Sequence, residues 1–205
     1  MTTAFQYVFD NAESISIDTK RIVGSTLTRD QTLRTTSRGG QTWRFDVKLP
    51  DGIPWNQARQ YIAKIEALDR TTVGTVQINN AGYNDWLIPY QGTAANSAAI
   101  AASWVNGAMS ITLTSGQAGS GFNFRAGDII QLATGRVYRV TADVASGTNT
   151  VPVHRPVLDT TGSGTLKVGP AVTWSVLCYE LPSWTIFARD QVSWSGSFIF
   201  YENMV

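Results

Sequence analysis

The chain has a single cysteine, Cys178, and a single histidine, His154, among 205 residues. This excludes an intrachain disulfide and any zinc site built from several Cys or His ligands. Charge is also scarce: Asp, Glu, Lys and Arg make up 15% of the residues, where about a quarter is ordinary. The balance of 16 cations and 15 acids leaves a net +1, which argues against a chain that binds nucleic acid or a membrane surface through its overall charge. No run of 18 apolar residues occurs, and the N-terminal stretch MTTAFQYVFDNAES lacks a basic segment followed by an apolar one. The expectation is therefore neither a transmembrane span nor a secretion signal, with folding in a reducing cytoplasm.

Hydrophobic residues, at 43% of the chain, are plentiful. A chain of this length can bury about 70% of the surface its unfolded form exposes. The dominant pattern is alternation. Residues 13–19 place Ile15 and Ile17 on one face, and 41–49 place Trp43, Phe45, Val47 and Leu49 inward with Arg44, Asp46 and Lys48 outward, which predicts half-buried antiparallel strands. Further strands are expected at 73–78, 86–90, 109–114, 172–181 and within 184–201. One helix is predicted over 54–69. Pro54 suits its first position, Asp51 lies just ahead, and Trp55, Ala58, Ile62, Ile65 and Leu68 form one apolar face.

Between 109 and 170 five short runs (109–114, 128–133, 136–144, 149–155 and 165–168) alternate with glycine-rich turns. This pattern suits a small five-stranded barrel of the oligonucleotide/oligosaccharide-binding type. The predicted fold is mainly β: an antiparallel, sandwich-like domain with one α-helix, formed by 1–90 and 171–205, interrupted by an OB-like barrel at 91–170.

Catalytic chemistry finds little support. His154, between prolines in VPVHRP, reads as a surface or edge-strand residue, and Cys178 in VTWSVLCY as a small buried hydrophobe. The acids Asp128, Asp143, Asp159, Glu180 and Asp190 stand singly at expected turns and strand edges, so no carboxylate pair is indicated. No glycine-rich loop continues into Gly-Lys-Ser/Thr, which argues against a phosphate cradle. Neither a cofactor nor a metal is expected, and the chain is read as a non-enzyme. Of seven tryptophans, Trp43, Trp55, Trp174 and Trp194 are expected in the core, while Trp86, Trp104 and Trp184 lie nearer turns and suit an interface or sugar stacking.

Segment 20–40 is polar and rich in Thr and Arg, and is expected to form a long hairpin or arm. From 19 to 45 there are six cations against Asp30 alone, a local +5 in a chain that is otherwise slightly acidic. A nucleic-acid arm would have aromatics interleaved for base stacking, and this one does not. Docking on an acidic protein surface through arginine fits better, and a merely solvated hairpin is the other alternative.

Three stretches carry a resemblance: FRAGDIIQL at 124–132, GRVYRV at 135–140 and NTVPVHRP at 149–156. They are similar to modules of bacteriophage tail proteins in which an Ala-Gly-Asp turn starts a strand, a Val-Tyr-Arg/Lys-Val strand follows and a strand ending at proline closes the unit. The order of elements upstream resembles the distal tail protein of long-tailed phages. That resemblance implies a structural virion protein, made in the host bacterial cytoplasm, that forms a ring, expected to be a hexamer, at the distal end of the tail. The ring would join the tail tube to the tail tip or baseplate hub. The implied partners are further copies of the chain, the tube protein, a hub or tip protein and a receptor-binding protein, without membrane or sequence-specific nucleic acid. Arg29, Arg34 and Arg38 are the expected contacts of the arm with a neighbouring subunit or the tube. Another tail component (tube, terminator or hub adaptor) and a carbohydrate-binding tail module are the alternative readings, and a hydrolytic tail enzyme would need converging acids.

Overall fold

A computed structural model describes residues 3–19, 23–27, 29, 31, 33–37, 41–67, 71–78, 87–93, 100–114, 121–133, 135–187 and 190–204. In chain order, helix α1 (Ala4–Asp10) precedes strands β1 (Ser14–Asp18), β2 (Val23–Leu27), β3 (Leu33–Ser37), β4 (Arg44–Lys48) and β5 (Ile53–Pro54). Helix α2 (Trp55–Ala67) and β6 (Gly74–Gln77) follow. Next come β7 (Ala101–Trp104), β8 (Ser110–Leu113), β9 (Phe122–Phe124), β10 (Ile129–Gln131), β11 (Val137–Arg139) and β12 (Val144–Ala145). The series ends with β13 (Thr150–Pro152), β14 (Gly162–Thr165), β15 (Lys167–Val168), β16 (Thr173–Glu180), β17 (Trp184–Phe187), β18 (Gln191–Trp194) and β19 (Phe198–Glu202). The fold is mainly β with antiparallel sheets, and the chain divides into two compact units, 1–11 with 73–175 and 12–72 with 176–205.

In the second unit, β1, β4, β19 and β16 are neighbours in that order. Their register sets Ile15 opposite Val47, Ile17 opposite Phe45, and Phe45 opposite Phe200. Side chains opposite one another share a face, so Trp43, Phe45, Val47, Leu49, Phe198 and Phe200, all at most 1% exposed, fill one side. Arg44 and Asp46 face outward and lie 3.8 Å apart. Pairing of β16 with β19 shifts by one residue between Cys178 and Glu180, a bulge at Tyr179, which is exposed and packs edge-on against Tyr201. Strands β17, β18 and β5 form a smaller sheet, and β2 and β3 a hairpin of their own. Helix α2 buries Ala58, Ile62 and Ile65 as its spacing predicted, and Leu68 lies outside the described residues. Pro54 belongs to β5, opposite Gln191, and Asp51 turns away from the helix to accept the Trp194 N–H at 3.0 Å.

The first unit contains a helix that the single-helix expectation missed. α1 starts where Thr3 accepts the Gln6 N–H at 3.2 Å, and it buries Ala4, Phe5, Val8 and Phe9. The Gln6 side chain ties it to β6, accepting from Gln77 N at 2.8 Å and donating to Gln77 O at 2.7 Å. Leu87–Tyr90, expected in a strand, has no strand conformation.

The expected five-stranded barrel is replaced by nine shorter strands. Among the described residues they form sheets ordered β13-β8-β7-β14, β11-β10-β15 and β12-β9, and no closed barrel. All three sheets share one core that includes Trp104, Ile111, Phe124, Ile130, Tyr138, Val144 and Val151. Runs of two to four residues are too short to show alternation, which is why β7, β9, β12 and β14 were not separately legible.

Candidate functional site

The basic arm is a β-hairpin. Its ladder runs from Val23 opposite Ser37 to Leu27 opposite Leu33, leaving a five-residue connection, 28–32. Gln31 turns the chain with φ 58°, a left-handed conformation that is uncommon without glycine. Arg29 is exposed in this connection, and Arg34 lies in β3 opposite Thr26. Lys20, Arg21 and Arg38 lie outside the described residues. Arg44 is not part of the arm: it sits on β4, paired with Asp46. Without it, segment 20–40 has five cations against Asp30, a net +4. Among the described residues, β2 and β3 pair with no other strand.

A second element with an open edge among the described strands was not foreseen. Among the described residues β17 is an edge strand, joined only to β18, and carries Ile186 and Phe187 at 47% and 43% exposure. Beside them Trp184 stacks on Trp55 with ring centroids 4.7 Å apart, so Trp55 is half-buried and not in the core. The uninterrupted run Trp184-Thr185-Ile186-Phe187 was the signal in the sequence. Trp43, Trp174 and Trp194 are buried as expected, but so is Trp104, whose indole donates to Thr160 O at 2.9 Å. Trp86 lies outside the described residues.

Two of the acids considered for chemistry, Asp128 and Asp143, hold the backbone. Asp128 accepts from Gln91 N at 2.9 Å and from Arg125 N at 2.8 Å, while Asp143 accepts from Ala126 N at 2.9 Å and pairs with the Arg125 guanidinium at 2.8 Å. Two carboxylates thus clamp one turn, in which Gly127 has φ +102°. Burial pushes the Asp128 carboxyl above its ordinary value despite these backbone donors. The Ala126 N–H, helped by Arg125, holds Asp143 below it. Asp159, expected at a turn or edge, is buried and accepts the Tyr138 hydroxyl, whose oxygen accepts the Leu158 N–H at 2.8 Å.

Asp190 stands at a turn with φ 62°, and Glu180 ends β16. His154 is buried and not on the surface; its Nδ1 accepts the Arg139 N–H at 3.0 Å. Arg155, also buried, donates to Val137 O at 2.8 Å and lies 5.2 Å from the Tyr138 ring centroid. Cys178 is buried. Among the described residues no group of three His, Cys, Asp or Glu side chains is placed to hold a metal ion, and no helix is long and apolar enough to cross a membrane. What the arrangement offers is a basic hairpin and an edge strand with exposed apolar side chains. No family model and no curated protein matches the sequence.

Proposed function

We propose that this chain is a structural subunit of a bacteriophage tail, forming a ring at the distal end that joins the tail tube to the tip or baseplate hub. The observation that carries the assembly part of this reading is the hairpin β2-β3, which is basic and shares a ladder with no other described strand. A two-stranded ladder is marginal in water on its own, so a surface that covers it stabilises it. Outside residues 19–45 the chain has ten cations against fourteen acids, a net −4. A second copy therefore offers the charge the arm lacks, and Arg29, Arg34 and Arg38 are assigned to that contact or to the tube. The tail assignment itself rests on the resemblance of 124–156 to tail-protein modules.

Light scattering of the purified chain across concentration tests the reading. A closed assembly near six times 22.3 kDa is expected, and joint replacement of Arg29, Arg34 and Arg38 by Glu is expected to leave monomers with unchanged circular dichroism. A wild-type chain that stays monomeric alone and does not bind assembled tail tubes overturns it.

A further inference from the structure

The sheet β13-β8-β7-β14 has one face in the core and one outside. On the inner face lie Ala102, Trp104, Ile111, Leu113 and Val151. The outer face is uniform in chemistry. Its pairings put Thr150 opposite Thr112, Thr112 opposite Ser103, and Ser103 opposite Ser163, so one row of four hydroxyls crosses all four strands. With neighbouring strands about 4.8 Å apart, the row spans about 14 Å. None of the four strands contains a charged residue. Ser163, Ser103 and Thr112 of this row line an open groove of about 480 Å³ together with Val105, Ser110 and Thr161, and none of the described lining residues is charged.

Among the described residues these hydroxyls bond to no other group. Elsewhere in the same unit, Thr93 Oγ1 bonds the Phe122 backbone and Thr161 Oγ1 accepts the Asn106 N–H at 3.0 Å. Ser103, Thr112, Thr150 and Ser163 make no such bond among the described residues. Each hydroxyl is both donor and acceptor, and Val105 at the groove's end is 60% exposed. Protein interfaces are anchored by aromatic residues and arginine, and the outward-facing residues of these four strands include neither. A charged ligand would find no counter-ion. What matches is a neutral molecule that presents hydroxyls of its own at intervals, together with patches of C–H.

We propose that the outer face of β13-β8-β7-β14 is a binding site for a neutral saccharide chain, held by the Ser163-Ser103-Thr112-Thr150 row. The site is independent of ring formation, and its test does not depend on the oligomeric state. The experiment is calorimetric titration of the full chain with neutral tetrasaccharides (cello-, chito- and malto-oligosaccharides) and with acidic oligogalacturonate, at low and high salt. At least one neutral tetrasaccharide is expected to bind at about millimolar Kd or tighter, with the same affinity at both salt concentrations. Binding of oligogalacturonate alone, lost in salt, would mark the basic arm and overturn the proposal. Thr112→Val, which keeps the shape and strand preference, is expected to bind about threefold to tenfold more weakly, the worth of one hydrogen bond. Ser103→Lys should bind about tenfold more weakly or worse, by burying a charge without a partner, and Ser103→Thr should bind like the wild type. Absence of neutral-sugar binding at about 10 mM, or equal binding by Thr112→Val and Ser103→Lys, overturns the proposal. So does a change in assembly mass on Ser103→Lys without sugar binding, which would show a second copy on this face.

Discussion

Tyr138 shows how a single side chain organises the interior of the first unit. Its ring is fully buried, its hydroxyl donates to Asp159, and its oxygen accepts the Leu158 N–H. Replacement by Phe keeps the ring but takes one donor from the buried Asp159 carboxylate and the acceptor from the Leu158 N–H, so Tyr138→Phe is expected to lower stability by about 1–3 kcal/mol in urea unfolding. The hydroxyl also couples stability to pH. Burial, and then the Asp159 carboxylate, push its pKa above the ordinary 10.0, so the native state keeps this proton after unfolded chains begin to lose theirs. Its contribution is full below pH 10 and declines as pH rises above it. Urea midpoints measured across that range should fall more steeply for wild type than for Tyr138→Phe; equal slopes would remove Tyr138 as the cause. Little of this was legible in the sequence, because an Asp at a chain bend looks the same whether its carboxylate meets water or a tyrosine 21 residues away.

At the scale of elements, α1 and β17 make the contrast. α1 has two turns, below the length at which an isolated helix is stable, so its packing on β6 has to hold it. A Cβ added at Gly74 would lie 2.3 Å from the Phe5 ring. Gly74→Ala is therefore expected to push Phe5 off β6, costing about 1–3 kcal/mol and speeding hydrogen exchange of the α1 amides ahead of the rest of the unit. The element had left a trace in the sequence: Thr3 and Gln6 at capping-box spacing, then Phe5, Val8 and Phe9 on one face. β17 behaves in the opposite sense, since its outer edge has no partner among the described strands. Exposed apolar edges invite pairing with another chain, so Ile186→Lys should reduce self-association in sedimentation velocity while changing unfolding stability by less than about 1 kcal/mol. Unchanged association would mean that the edge is idle.

For the whole molecule, the distribution of charge matters more than its total. A net +1 conceals +5 over residues 19–45 and −4 elsewhere, and in repeated copies these portions attract one another. Attraction between exposed charges is screened over about 10 Å at 0.1 M salt and about 3 Å at 1 M. Assembly held by the hairpin should therefore weaken steeply between these concentrations, as read by scattering mass. Assembly held by the apolar edge should persist or strengthen in a salting-out salt. The two contacts are thus separable without mutation.

Composition and local spacing alone determined the class of this protein: scarce cysteine, histidine and charge, with long alternating runs, leave a β-rich chain. β4 and the apolar face of α2 were legible because each extends over enough residues for its period to show, and the hairpin because Thr-rich polar segments cannot fill a core. Only the tertiary structure decided what depends on pairing between distant residues. The short strands of the first unit curl into three sheets around one core, Asp128 and Asp143 meet at one turn, and Ser163, Ser103, Thr112 and Thr150 fall into one row. In the sheet that carries this row, register aligns residues up to 64 positions apart, and no local pattern encodes that alignment, because each strand by itself is three or four residues of ordinary sequence.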